Sequence, residues 1–375
     1  VDRLQRVDSL LAKYVREGVM PNGISFVARN GKIVHYKGYG YKDVENNIPV
    51  STKDIFRWAS QTKAITTAVL MTLFEENKFL LDDPVEMYLP MFAHPQVYVS
   101  GSVKDSNLVT RPANGKITIR HLLTHTSGYA YNTFGEDLRV INYPEPVTTK
   151  EVIERIARTP LKHDPGEKFT YGFSLDIAGY LAEVISGKTL DVLMKERIFD
   201  PLGMNDTYFY LPPEKYNRLV KEYIRTSNND RCEIDPQLIE QIYPLADNQP
   251  YHGGGAGLNG TIEDYAKFLQ MILNKGEFNN RRILGRKTVE LMATNQLLDV
   301  KGDYQFGLGF ELYPDRNSIK TMVSEASLRW GGAYGTQYVI DPKENLVILF
   351  YTNVRNWKNP NVSDRFMIAV YQALK

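Results

Sequence analysis

A chain of 375 residues carrying 45 basic and 44 acidic side chains has a net charge of +1, so nothing in its charge points to nucleic acid or an anionic membrane. It is longer than one small core can fill, and one large domain or two intimately packed ones are expected. No apolar run approaches the roughly 18 residues of a membrane span, and the single cysteine, Cys232, rules out an internal disulfide and a Cys-x-x-Cys metal site. One cysteine fits the cytoplasm as well as a periplasm without disulfides. With Val1 as first residue, an exported protein that has lost its signal peptide is favoured, and a cytoplasmic one is compatible.

Residues 3–17 place Leu4, Val7, Leu10, Leu11, Tyr14 and Val15 on one side and predict an amphipathic helix, stopped by Pro21-Asn22-Gly23. Ile24 to Ala28 and Ile33 to Tyr39 read as strands joined by an Asn30-Gly31 hairpin. A helix apolar on nearly every side follows from Ala64 to Phe74. From Leu81-Asp82-Asp83-Pro84 to about residue 250 the pattern is helical and loop-rich. Helices are expected near 117–125, 149–157, 174–186 and 189–199, and 92–115 and 208–250 are the least regular stretches. The glycine-dense Gly253-Gly254-Gly255 predicts a tight backbone approach before a helix at 261–274. Strands are expected at 306–313, 319–326, 334–340 and 346–353, and a last helix at 361–373. Strands at both ends with helices between predict an α+β fold. An antiparallel sheet domain is drawn from 1–80 and 251–375, with a mostly helical lobe inserted at 81–250 and the site between them.

The stretch with chemistry opens at Ser60-Gln61-Thr62-Lys63. Residues three apart on a helix share a face, so the Lys63 amine can reach the Ser60 hydroxyl. A serine needs an adjacent base, and a lysine becomes one when burial lowers its pKa. A helix start also favours developing negative charge beside Ser60. Scanning every serine finds one Ser-x-x-Lys pair, which by spacing alone also reads as a capping serine and a snorkelling lysine. Tyr171 lies in the loop before the 174–186 helix, where a phenol can relay protons, although most of 24 tyrosines are packing residues. Trp330-Gly331-Gly332-Ala333 precedes a strand, and the Ala333 N–H on such an edge can join that of Ser60 as an oxyanion hole. No Gly-x-Ser-x-Gly elbow occurs, and His121 and His125 at i, i+4 lack an evident third metal ligand, so no metal or cofactor is expected.

In order and rough spacing, Ser60–Lys63, Tyr171 in Tyr-Gly-Phe-Ser-Leu-Asp, and Trp330-Gly331-Gly332 resemble the serine β-lactamase/penicillin-binding-protein superfamily, and within it the class C-like family VIII carboxylesterases. Leu81-Asp82-Asp83-Pro84, His121 through Gly128 and Gly253-Gly254-Gly255 support the likeness. The resemblance implies a β-lactamase/transpeptidase-like fold, with an antiparallel sheet flanked by helices. It also implies that Ser60 is acylated, that Lys63 and Tyr171 serve as general base and then acid, and that the Ser60 and Ala333 amides bind the oxyanion. Phe173, Trp330, Gly331, Gly332 and Tyr129 are the substrate-binding candidates.

Two departures set the substrate expectation. Phe173 stands where the lactamase pattern has an asparagine, and Trp330-Gly331-Gly332 where it has Lys-Thr-Gly. The missing lysine would have met a substrate carboxylate, a role that Arg329 or another basic residue can take over. A carboxylesterase acting on small neutral esters is the leading reading. The alternatives are a β-lactamase, a D-amino-acid peptidase or acyltransferase, and a non-catalytic binding protein on the same scaffold. The expected partner is a small-molecule ester or amide, with the 92–115 and 208–250 loops shaping the acyl pocket.

Overall fold

The computed structural model describes residues 2–102, 107–131, 147–225, 232–234, 244–245, 250–297, 300, 304–314, 321–355, 357 and 360–375. Its main elements in chain order are α1 (Gln5–Arg16), β1 (Asn22–Arg29), β2 (Lys32–Asp43), β3 (Ile48–Pro49), α2 (Thr62–Glu75), α3 (Ile119–Leu123), α4 (Thr149–Ala157), α5 (Ser174–Ser186), α6 (Ile262–Leu273), β4 (Glu311–Leu312), β5 (Leu328–Gly331), β6 (Gln337–Asp341), β7 (Leu346–Tyr351) and α7 (Pro360–Tyr371). The seven strands form one antiparallel sheet in the order β4-β5-β6-β7-β1-β2-β3. Strands from the two ends of the chain meet at β1–β7, where Ile24 pairs with Tyr351 and Arg29 with Leu346.

The sheet is apolar on both faces, which is why β7 reads Leu-Val-Ile-Leu-Phe-Tyr without alternation. Leu346, Ile348 and Phe350 face α1 and α7, with Val7, Leu11, Val362 and Phe366 packed over them. Val347, Leu349 and Tyr351 face the other way, into a core that takes in Ile65 and Val69 of α2 and runs on through Leu122 and Leu181. One continuous core thus joins the sheet to the helices of the 81–250 stretch. Every residue of α2 from Thr62 to Leu73 is buried, as its all-round apolar pattern predicts. The Asn30-Gly31 turn has φ +52° and +70°, the left-handed pair a two-residue hairpin asks for.

The expected strands at 306–313 and 319–326 are not formed as such. Leu308 N bonds to Met292 O, and Gly309 N to Leu123 O. These bonds spend the backbone on other partners, so only Glu311–Leu312 joins the sheet. Residues 321–326 make a turn with Ala326 at φ +60°, and 319–320 lie outside the described residues. The strand next to the site is instead Leu328–Gly331. The two irregular stretches are more ordered than expected: Gln96–Ser100 pairs with Val109–Pro112, and Tyr223–Arg225 lies between Cys232–Ile234 and Val354–Arg355. The remainder of both stretches is partly outside the described residues.

Candidate active site

Ser60 sits in a single 3-10 turn, Ala59–Gln61, that runs directly into α2. Ala59 has φ +47°, a left-handed conformation costing a non-glycine residue about 1–2 kcal/mol. The turn is gripped from both layers. Tyr265 of α6 donates to the Gln61 carbonyl at 2.8 Å, and Tyr351 of β7 to the Gln61 side-chain oxygen at 2.5 Å. On the sheet side the connection after β5 presses against the same turn. A Cβ on Gly332 would lie 2.2 Å from the Trp58 carbonyl oxygen, so only glycine lets the strand end come this close. Within that connection Gly332 N bonds to Thr336 O and Gly335 N to Gly332 O, while the Ala333 N–H takes no part. Ala333 is exposed and lines the same groove as Ser60.

The Tyr171 hydroxyl donates to Ser60 Oγ at 2.6 Å. Its loop is stitched to the segment after α3: Thr170 N bonds to His125 O at 2.7 Å, and the Ser127 and Ser174 hydroxyls meet at 2.9 Å. Lys63, one turn along α2, is 2% exposed and donates to Gly255 O at 2.6 Å, Tyr131 Oη at 3.1 Å and Ser60 Oγ at 3.4 Å. Its Nζ lies 4.7 Å from the Tyr171 ring centroid. Gly255 is placed by Asp176, whose Oδ1 accepts from Gly255 N and from Tyr251 Oη, each at 3.1 Å. A Cβ on Gly255 would fall 2.2 Å from Asp176 Oδ2, which accounts for the glycine-dense stretch.

This nest reverses one expectation. Burial does oppose the Lys63 charge, but the Tyr131 and Tyr171 oxygens and the Asp176 carboxyl outweigh it and raise the Lys63 pKa above its ordinary value. The three oxygens within 3.4 Å of Nζ can all accept, so the nest accommodates an ammonium. Asp176 is itself pushed up by burial, with Lys63 opposing. His125 is the contrasting case. Its ring lies 4.8 Å from that of Tyr171 and stacks under Trp330 at 6.5 Å, and neither ring nitrogen has a hydrogen-bond partner among the described residues. Burial, with Lys63 assisting, lowers its pKa well below the ordinary value. His121 is a helix cap whose Nδ1 accepts from Thr118 N, so the i, i+4 histidines do not converge. No group of three or more potential metal ligands occurs among the described residues.

Of the other sequence candidates, Trp330, Gly331 and Gly332 line the groove of about 520 Å³ that contains Ser60 and Tyr171. Phe173 and Tyr129 do not. Phe173 is buried against Tyr131 at 4.6 Å, and Tyr129 is a core residue against Phe92. No described residue of 92–115 or 208–250 lines this groove. Tyr131, Gly255 and Asp176 escape sequence reasoning as site residues, because nothing distinguishes Tyr131 among 24 tyrosines. Arg329 donates to Glu311 at 2.6 Å and lies 4.3 Å from the Tyr313 ring centroid, so the one cation among the described residues lining the groove is already paired.

Comparison with known proteins bears on the family. Esterase EstB of Burkholderia gladioli is 27% identical over 374 residues, covering 93% of this chain and 90% of the esterase. Monacolin J acid methylbutanoyltransferase of Aspergillus terreus is 28% identical over 398 residues, covering 97% and 94%. The solved structure of simvastatin synthase (LovD) from Aspergillus terreus superposes with a TM-score of 0.84 at 26% identity, covering both chains fully. The family model described as Beta-lactamase matches residues 7–372, and with it this chain, a serine hydrolase, belongs to the beta-lactamase family.

Proposed function

We propose that this protein is a carboxylesterase that cleaves small neutral esters through an acyl-enzyme on Ser60. The observation that carries the reading is the charge of the groove. Where a lactamase-like site presents a free ammonium to a substrate carboxylate, this groove presents the Trp330 indole, and the one cation among the described residues that line it, Arg329, is committed to Glu311. The strong relationship to an esterase over nearly the whole chain supports the same reading.

In this mechanism the reacting form is the one in which the Tyr171 phenol has first released its own proton to solvent; Ser60 Oγ then attacks the ester carbonyl as its proton passes along the 2.6 Å contact to the Tyr171 oxygen. The Lys63 ammonium, 3.4 Å from Ser60 Oγ, favours negative charge on the oxygens around it. The Ser60 and Ala333 N–H groups receive the carbonyl oxygen as it becomes an oxyanion. When the intermediate collapses, Tyr171 returns the proton to the leaving alcohol. Water then repeats the sequence on the acyl-enzyme. An alcohol in place of water would make the same site an acyltransferase, the activity for which its Aspergillus relative is named.

The deciding measurement is kcat/KM for p-nitrophenyl butyrate beside nitrocefin. A lost charge-assisted contact costs roughly 1.5–3 kcal/mol, so the ester should be favoured by at least about ten- to a hundredfold. Ser60→Ala should lower ester turnover by about a thousandfold or more and abolish labelling by a fluorophosphonate. Equal or better values on nitrocefin would overturn the esterase assignment.

A further inference from the structure

The groove beside Ser60 does not end on the catalytic side of the sheet. It passes the 331–335 connection and continues between β5, β6 and the start of α7, where Arg329, Gln337, Trp357 and Asp364 line it. Strand register fixes which side chains point there. Gly331 pairs with Gln337 and Arg329 with Val339, and residues two apart on a strand share a face. Arg329, Gly331 and Gln337 therefore share the face that carries Val339 into the core under α1 and α7, while Trp330 and Tyr338 take the catalytic face.

Three N–H donors on the residues of this arm are buried without a hydrogen-bond partner among the described residues: Gln337 Nε2, Trp357 Nε1 and Arg329 Nε. Buried donors are nearly always paired, so three orphans on residues that line one groove mark donors that a small side-chain rotation would present to an acceptor from outside the chain. Gly331 contributes no side chain, which leaves the floor between them open. Trp357 is seated on Gly335, where a Cβ would lie 3.0 Å from the indole Cγ. Charge narrows the ligand. Arg329 is neutralised by Glu311, and Asp364 adds an exposed carboxylate, so the arm is unsuited to an anion.

We propose that this arm is a second subsite, resting on the esterase reading, which takes an uncharged hydrogen-bond acceptor carried by the substrate, such as a second ester, an amide or a ketone carbonyl. Counting along β5 from Ala333, Gly331 with its partner Gln337 is two residues away and Arg329 four. At about 3.3 Å per residue the acceptor sits roughly 7–13 Å from the scissile carbonyl. Preferred substrates are thus esters with a second polar group at that reach.

The test compares kcat/KM for dimethyl suberate with methyl octanoate, and for hexanediol diacetate with hexyl acetate. Beyond the twofold factor for two scissile groups, one diester should be favoured by about three- to tenfold. The series that shows it identifies whether the acyl or the alcohol half enters the arm. Gln337→Leu and Trp357→Phe should each bring that ratio back toward two. Ratios near two for both series in the unmodified protein, or ratios unmoved by either variant, would overturn the proposal. The uncleavable N,N,N′,N′-tetramethylsuberamide separates this outcome from failure of the esterase reading. Its binding, measured by calorimetry, should weaken about three- to tenfold in Gln337→Leu even if no ester is cleaved. Equal binding by the two proteins would also sink the subsite.

Discussion

Lys63 and His125 are two buried basic side chains set against the same tyrosine ring, at 4.7 and 4.8 Å from Tyr171. Their fates are opposite. Lys63 is surrounded by three oxygens and holds its proton more tightly than a free lysine, whereas His125 has no partner on either nitrogen among the described residues and is held neutral by burial. Burial opposes the charge on both, so burial alone does not decide which residue is ionised. The number and kind of partners decides, and those partners come from remote parts of the chain: Tyr131, Gly255 and, behind Gly255, Asp176.

Breaking the saturated side of this contrast should have the larger effect. Lys63→Met removes the ammonium and leaves the Gly255 carbonyl and the Tyr131 hydroxyl without their donor. On p-nitrophenyl butyrate, kcat should fall by about 10²–10⁴-fold, and Lys63→Arg should not restore it, because the fork cannot reproduce three converging bonds. A kcat within tenfold of the unmodified enzyme would mean that the nest is only packing.

The unsaturated side should tolerate removal of its polar atoms. His125→Phe keeps a ring against Tyr171 and Trp330 while deleting two nitrogens that bond to nothing. An unpaired buried polar group costs about 1–3 kcal/mol. The left-handed backbone at His125, φ +56°, suits phenylalanine somewhat less than histidine and offsets part of the gain. Tm should be unchanged or higher, and kcat should stay within about threefold with the same pH profile. A hundredfold loss with an altered acid limb would show that His125 exchanges protons during turnover.

Glu183 of α5 is the intermediate case, with a single donor, Leu190 N at 2.8 Å, and a repelling neighbour in Asp191. Burial pushes its carboxyl up to about 7 from an ordinary 4.5, and the one hydrogen bond does not offset this. The folded protein therefore holds this proton more tightly than the unfolded chain, and stability is lost as pH rises from about 4.5 to about 7. Glu183→Gln keeps an acceptor for Leu190 N and removes the titration. Its Tm advantage should be absent near pH 4.5 and grow to about 1–3 °C by pH 8, modest because the side chain is partly exposed. An advantage of equal size at both pH values would contradict this account.

The same contrast explains what could be read without coordinates. Ser60, Lys63 and Tyr171 are legible through the resemblance to the β-lactamase superfamily, since a three-residue spacing and a loop before a helix by themselves also fit a capping serine and a packed tyrosine. The geometry brings all three together. The Asn30-Gly31 hairpin and α2 are legible from local pattern alone. The ionisation of Lys63 is not, since its partners lie at 131 and 255, and spacing along α2 reports burial alone. Strand assignment failed where glycine sends the backbone elsewhere. Phe306–Phe310 has strand composition but bonds to Met292 and Leu123, and Leu328–Gly331, with two glycines following Trp330, pairs through backbone groups that composition does not reveal. Phe173 looked like a pocket wall in the motif, yet it turns inward onto Tyr131, a direction that one position in a loop does not fix.

The pairing of β1 with β7 also has a consequence for synthesis. Residues 22–29 leave the ribosome early, and the strand that completes their sheet follows roughly 320 residues later. At translation rates of about 5–20 residues per second, β1 and β2 wait on the order of 15–60 s with one edge unpaired. An early hairpin with an open edge is a template for the wrong partner. Through that interval the hairpin depends on its own turn, or on a chaperone, for protection. Emergence of the 346–351 strand is the event that lets this sheet close.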